Sequence, residues 1–242
     1  MIVLLTGMFR SGSTWAFNVA KALLSLKSRT VAGDYRNDIG QALAELDWNF
    51  EHYLIKTHMP DRVGHMLIRH RMAATVCTHR DPLECIASSM EVFGSGFEET
   101  VALARGALAF LELQSKESGI LFIAHDAIMA EPERMVAAIA AHLGCAAGAE
   151  DIRRIAELFK KANVARFVAG LTPGTGAAGT PPPRDPATLL HPGHIRSRPT
   201  PPDRLLSPEQ RRYALDQLAD FVDADGRLTP AIQRRLAAAG PP

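Results

Sequence analysis

The sequence predicts an α/β fold: one P-loop-like domain spanning residues 1–242, with a central parallel sheet flanked by helices on both faces. Three observations predict it. Short apolar runs alternate with helical patterns along the chain. The runs are apolar throughout, as strands covered on both faces are. The first run passes through a glycine-bearing turn straight into a helical pattern.

In chain order, Ile2 to Leu5 is the first strand and Ala16 to Leu26 the helix behind it. Tyr53 to Lys56 is an inner strand; Ala73 to Thr78 is another, followed by a helix from Leu83 to Met90. Ile120 to Ala124 is the last strand. Apolar spacings of three and four predict longer amphipathic helices over Glu98 to Ser115, Pro132 to Leu143, Ile152 to Asn163 and Pro208 to Phe221. Two of these have clear starts. Ser207-Pro208-Glu209 supplies an N-cap, a first-turn proline and a first-turn acid, and Glu131-Pro132 places proline at a helix start. Residues 170–204 turn to Gly, Pro, Thr and Ala, too poor in bulky apolar groups to bury a core and too long for an ordinary connection. That stretch is either a lid or a flexible insert.

Charge narrows the function. Lys and Arg number 27 against 26 Asp and Glu, so no overall positive field recruits nucleic acid, and an anion site has to be built locally. Cys77, Cys85 and Cys145 show no paired C-x-x-C spacing and suit reduced thiols; the histidines show no ligand spacing on a helix, so no metal is expected. The chain opens on its first strand, without a basic and then apolar leader, and no stretch is long enough to span a bilayer. The expected location is cytoplasmic.

The segment Gly7-Met-Phe-Arg10-Ser11-Gly12-Ser13-Thr14-Trp15 follows the first strand. Backbone N–H groups at a helix start lack intrahelical partners and sit at the positive end of the dipole, so an anion fits there. Gly7, Gly12 and Thr14 match the nucleoside-triphosphate loop G-x-x-x-x-G-K-[ST], but Ser13 stands at the lysine position. The cation has moved to Arg10, whose guanidinium matches a phosphate or sulfate group with two parallel hydrogen bonds. The bland reading has Gly12 and Ser13 merely turning the chain and capping the helix.

Lys56-Thr57-His58-Met59-Pro60 lies at the carboxyl end of an inner strand, where ligands of open parallel sheets collect. Lys56 and His58 alternate with Thr57 and so point to one side. An imidazole can take a proton from an attacking hydroxyl and an ammonium can stabilise charge on a transferring group; the alternative is a surface turn. After the next strand come Arg80, Asp81 and Pro82, with Ser88 two helical turns on. Either a second phosphate bridges Arg80 and Ser88, or Arg80 pairs with Asp81 or Glu84 on the surface.

Together these separated motifs resemble the sulfotransferases that use 3′-phosphoadenosine-5′-phosphosulfate (PAPS), of the bacterial type. The family's 5′-phosphosulfate loop is similar to Arg10 through Trp15, with Arg10 for its frequent lysine and Trp15 beside the nucleotide. Its Arg-x-Pro-x-x-x-x-x-Ser pattern for the 3′-phosphate is met by Arg80, Pro82 and Ser88. Its Lys-Thr-His-Leu-Pro segment, with a catalytic histidine, is similar to Lys56 through Pro60. His125-Asp126 and Glu131-Pro132-Glu133 are similar to its Tyr-Glu-Asp-Leu and Asp-Pro stretch, with His125 beside adenine. Its late Arg-Lys-Gly and Gly-Asp-Trp signature is not clearly present, but Pro192 to Ser197 looks like a diverged version, in which Arg196 or Ser197 closes over the 3′-phosphate. The likeness covers residues 1 to about 145 and thins beyond.

The resemblance implies in-line transfer of a sulfuryl group from PAPS to a hydroxyl, or an amine, of a small-molecule or glycan acceptor, leaving adenosine 3′,5′-bisphosphate (PAP). His58 is the expected base; Arg10 and Lys56 stabilise the moving group, helped by N–H groups of Ser11, Gly12, Ser13, Thr14 and Trp15; no metal is required. A kinase with a degenerate loop and a non-catalytic nucleotide-binding module are the alternatives. The acceptor has no motif of its own. Ala32 to His52 and the lid are where its specificity is expected, with Asp34, Tyr35 and Trp48 as candidate liners and Trp48 equally a core residue.

Overall fold

The structure, a computed structural model, describes residues 1–46, 48–171, 184–192, 194–195 and 201–240. Five parallel strands form its sheet: β1 (Ile2–Gly7), β2 (Val31–Tyr35), β3 (His52–Lys56), β4 (Ala74–His79) and β5 (Ile120–Ala124), in the order β2-β3-β1-β4-β5. Register sets Leu5 against Lys56 and Gly7 against Thr78, so the chain leaves β1, β3 and β4 at nearly one level.

The helices are α1 (Ser13–Leu24), α2 (Ile39–Ala44), α3 (Arg62–Arg69), α4 (Pro82–Phe93), α5 (Phe97–Gln114), α6 (His125–Ala130), α7 (Pro132–His142), α8 (Ala149–Leu158), α9 (Lys161–Ala169), α10 (Pro202–Leu205), α11 (Pro208–Gln217) and α12 (Pro230–Ala238). The strands' period of two splits their side chains between the faces. Leu4, Ile55, Cys77 and Phe122 pack with α4, α5, α11 and α12 on one face; Val3, Leu5, Leu54, Val76 and Ile123 pack with α1, α7 and α8 on the other. Helices thus cover both faces, as the apolar runs required.

Several expectations need adjusting. Val31–Tyr35 forms an edge strand, and α2 and α3 follow β2 and β3 where no element was expected. The helix predicted over Ile152 to Asn163 is broken: α8 stops at Leu158 and α9 begins at Lys161. Asn163 Nδ2 donates to the Glu157 carbonyl at 2.5 Å, taking up one of the orphan C=O groups at the end of α8. The start at Ser207 is as expected: its Oγ accepts from the Gln210 N–H at 3.2 Å and Gln210 Oε1 accepts from the Ser207 N–H at 2.9 Å. Within 170–204, residues 184–192 and 194–195 form a strap against α1. Lys21 Nζ donates to the Ala187 carbonyl and Asn18 Nδ2 to that of Thr188, each at 2.8 Å. Among the described residues no helix is long and apolar enough to cross a membrane.

Candidate active site

A cleft of about 940 Å³ opens at the carboxyl ends of the strands and is lined by the ends of β2 and β3, the segments that follow β1, β3 and β4, and by α1, α4, α5 and the strap. The turn after β1 is shaped by two positive-φ glycines. A Cβ on Gly7 (φ 130°) would stand 2.1 Å from the Thr78 carbonyl, and one on Gly12 (φ 97°) 2.7 Å from Ile128 Cδ1. Only glycine lets the loop press onto β4. Gly12 is the N-cap of α1 and offers no side-chain cap, so the first-turn N–H groups of Ser13, Thr14 and Trp15 remain for a guest in the cleft they line.

Ser11 departs from the expected role. Its N–H donates to the Met8 carbonyl at 3.3 Å, and its fully buried Oγ bonds Met8 and Thr78. It does not line the cleft. Ser11 ties the loop to β4, and Gly12 to Trp15 are the loop residues that line the cleft after Arg10.

Arg10 lies at φ 59°, a left-handed conformation that costs a non-glycine residue about 1–2 kcal/mol. Its side chain is drawn across the cleft: Nε donates to Ser88 Oγ at 3.0 Å, Nη2 to the His194 carbonyl at 2.9 Å, and Cζ lies 5.7 Å from the Phe93 ring centre. Arg80 extends from β4, its Nε donating to Glu84 Oε2 at 2.7 Å and Nη1 to the Arg10 carbonyl at 3.4 Å. The surface-pair alternative for Arg80 is therefore present in part. Its side chain is nevertheless well covered, and it lines the cleft beside Ser88.

Lys56 and His58 point the same way, as their spacing required. His58 Nδ1 lies 2.9 Å from the Gly7 carbonyl and so donates to it; Nε2 is left with its lone pair and accepts from Lys56 Nζ at 3.3 Å. Burial, and then the Lys56 charge, hold the imidazole well below its ordinary pKa, so it is neutral at pH 7. Lys56 is 4 % exposed and its pKa falls to about 7, through burial and the charges of Arg184 and Arg10. Its Nζ is 4.8 Å from the Tyr35 ring centre, and Arg184 Cζ is 4.3 Å from the same centre.

His125 opens α6 and lines the cleft; burial and the nearby Arg80 charge lower its pKa. Trp15 and Phe159 line the cleft as well. Arg196 and Ser197 lie outside the described residues. Of the expected acceptor liners, Tyr35 reaches the cleft, Asp34 is bound by Arg36 at 2.7 Å, and Trp48 is 68 % exposed, neither core nor liner. Phe93, Phe159, Lys161, Arg184, His191 and His194 were missed. The strap residues had no periodic pattern to flag them, whereas Phe93 sat just past a predicted helix end that could have been extended.

Six cationic side chains, Arg10, Lys56, Arg80, Lys160, Lys161 and Arg184, line the cleft against one carboxylate, Glu99. The chain as a whole is nearly neutral, so the excess is built here. A buried ammonium beside two guanidinium groups is unfavourable until an anion arrives.

No protein-family model and no curated protein sequence matches the chain. Solved structures share its architecture. Mouse sulfotransferase SULT7A1 complexed with PAP aligns at a TM-score of 0.62 and 12 % identity, over 96 % of this chain and 88 % of that one. The fold is that of the sulfotransferases. Retinol dehydratase in complex with androsterone and inactive cofactor PAP aligns at 0.58 and 16 %, over 90 % of this chain and 80 % of that one. Its complex with retinol and PAP gives 0.57 and 15 % over the same shares. Within this fold the cationic cleft occupies the carboxyl edge of the sheet, the general ligand position of open α/β folds.

Proposed function

We propose that the whole chain is one PAPS-dependent transferase domain that moves a sulfuryl group from PAPS to a hydroxyl, or an amine, of a small-molecule or glycan acceptor, and that it acts in the cytoplasm without a metal. The observation that carries this reading is the convergence of Lys56, a neutral His58 and Arg10 on a cleft with six cations and one carboxylate. The PAP bound to the structural neighbours, and the androsterone and retinol bound to retinol dehydratase, support the donor and a small-molecule acceptor.

The geometry supports the following roles. The N–H groups of Gly12 to Trp15 and the Arg10 guanidinium bind the 5′-phosphosulfate; Arg80 and Ser88 bind the 3′-phosphate; Trp15, Phe159 and His125 enclose the base. Arg196 or Ser197 completes the 3′-phosphate contact. Lys56 now occupies the His58 lone pair. An anion in the cleft draws the ammonium onto the departing bridge oxygen and frees Nε2 to take the acceptor proton. The donor S–O bond breaks as the acceptor O–S bond forms, the proton goes to His58, and PAP leaves. Such transfers need positioning and charge stabilisation more than covalent chemistry.

Calorimetric titration with PAP on folded protein tests the donor site, and transfer of label from [³⁵S]PAPS tests the reaction. Tight PAP binding and metal-independent transfer are expected. A folded protein that binds no PAP overturns the reading, and binding without transfer to any acceptor leaves only a nucleotide-binding module.

A further inference from the structure

Strand order divides the cleft. The donor loop follows β1 and Arg80 follows β4, whereas Tyr35 ends β2, at the opposite edge, with Lys56 and His58 of the β3 end lying between. The space beside Tyr35 is therefore on the acceptor side of the base. Arg184 of the strap lies over this ring, its Cζ 4.3 Å from the centre, within cation–π reach.

The acids nearest in sequence are engaged elsewhere. Asp34 is bound by Arg36 at 2.7 Å. Asp185 Oδ1 accepts from the Thr188 N–H at 2.8 Å and from its hydroxyl at 2.6 Å. Glu99 lines the cleft from the first turn of α5. Phe9, Met59, Phe93 and Leu103 give the cleft apolar lining. The donor's own anionic groups are matched by Arg10, Lys56 and Arg80. Lys160 pairs with Glu157 and Lys161 opens α9, so Arg184 is the cleft's remaining cation beside Tyr35, and its guanidinium offers two parallel N–H donors that match a planar carboxylate.

We propose that Arg184 selects the acceptor, and that the acceptor is an apolar hydroxyl compound that also bears a carboxylate; this rests on the sulfotransferase reading. Arg184 acts as a specificity residue and takes no part in bond making: the carboxylate enters and leaves unchanged while the hydroxyl proton passes to His58. The charge that Arg184 already exerts on Lys56 and His58 places it within electrostatic reach of the reacting groups.

The test uses PAP-saturated wild type and the Arg184→Gln variant, with a panel of hydroxybenzoates and hydroxylated fatty acids, each paired with its methyl ester. Binding is followed by ligand-observed NMR and, for accepted compounds, transfer is followed from labelled PAPS. Acids bound at least tenfold more tightly than their esters are expected. In Arg184→Gln that preference should fall to within about twofold, through KM with kcat kept, and Arg184→Lys should restore part of it. PAP affinity should stay within about twofold of wild type. Equal binding of acids and esters, binding of neither, or an acid preference that survives Arg184→Gln overturns the proposal. So does a tenfold loss of PAP affinity in Arg184→Gln, which would make Arg184 a donor ligand. Failure of wild type to bind PAP at all is the separate result that defeats the parent reading.

Discussion

Two walls face each other across the cleft, and they are built differently. The wall to which we assign donor and base hangs from three adjacent strands: Leu5 pairs with Lys56 and Gly7 with Thr78, so ladder hydrogen bonds fix Lys56 and the strand ends from which Arg10 and Arg80 follow. The strap wall, residues 184–192 and 194–195, is tied to α1 by Asn18 and Lys21 and to the loop by Arg10. Transfer chemistry tolerates little misplacement, and it is assigned here to the rigid wall. Recognition of the acceptor is assigned to the wall that can vary without disturbing the sheet.

The comparison breaks most severely at Gly7. Gly7→Ala brings a Cβ to 2.1 Å from a β4 carbonyl at a φ that L residues avoid, and should cost about 4 kcal/mol or prevent folding, as read by urea unfolding. Gly94→Ala, also at positive φ but with nothing within 4 Å of its Cβ, should cost only about 1 kcal/mol. Equal costs would mean that the loop does not bear on β4. Next, His58→Ala should lower kcat roughly 10³-fold while PAP binds within about threefold of wild type. Parallel loss of both would make His58 a ligand for the nucleotide and remove it as base. Arg80→Ala removes a charge-assisted contact and should weaken PAP by about 10- to 100-fold, measured by calorimetry. Unchanged PAP affinity would show the Arg80–Glu84 pair to be structural only.

Lys56 sharpens the comparison through pH. Its pKa in the free protein is about 7, and a bound anion raises it. Binding therefore takes up a proton between pH 7 and the raised value, and PAP affinity falls as pH rises through 7, by at most about tenfold per unit. Calorimetry in buffers of different ionisation enthalpy should register that uptake, and Lys56→Met should abolish it. In the free protein the same group works the other way. Its folded pKa lies below the unfolded value, so stability should rise between pH 7 and about 10, and thermal unfolding of wild type against Lys56→Met measures this. A flat profile in both experiments would mean that Lys56 is charged in both states.

The rigid wall was legible in the sequence because its constraints are local. Val3 to Leu5 and Ile120 to Ile123 are buried, so their apolar runs stand out, and Lys56 and His58 share a side by the period of a strand alone. Val31–Tyr35 escaped because an edge strand that is half-exposed along its length and holds Gly33 and Asp34 has no apolar run. The side chain of Ser11 was hard to place for a related reason. A glycine loop marks which backbone approaches an anion, but the direction of each side chain depends on β4, distant in sequence. Arg184 was invisible because its partner, Tyr35, lies across the fold and the intervening Pro- and Gly-rich residues have no period.

The smallest expected effect tests the strap by itself. Asp185 organises its turn: Oδ1 accepts from the Thr188 N–H and hydroxyl, and the Leu189 N–H donates to the Asp185 carbonyl at 2.7 Å, which holds Leu189 at φ 58°. Asp185→Ala removes the side-chain bonds and leaves the sheet untouched, at a cost of about 1 kcal/mol. Hydrogen exchange at Thr188, Leu189 and Leu190 should quicken about fivefold, while Val3 to Thr6 and Thr75 to Thr78 keep their protection. Because Leu189 and Leu190 line the cleft, the acceptor KM should rise while PAP affinity holds. If the sheet amides quicken in step with the strap, the two walls unfold as one unit, and the separation of chemistry from recognition drawn between them is wrong.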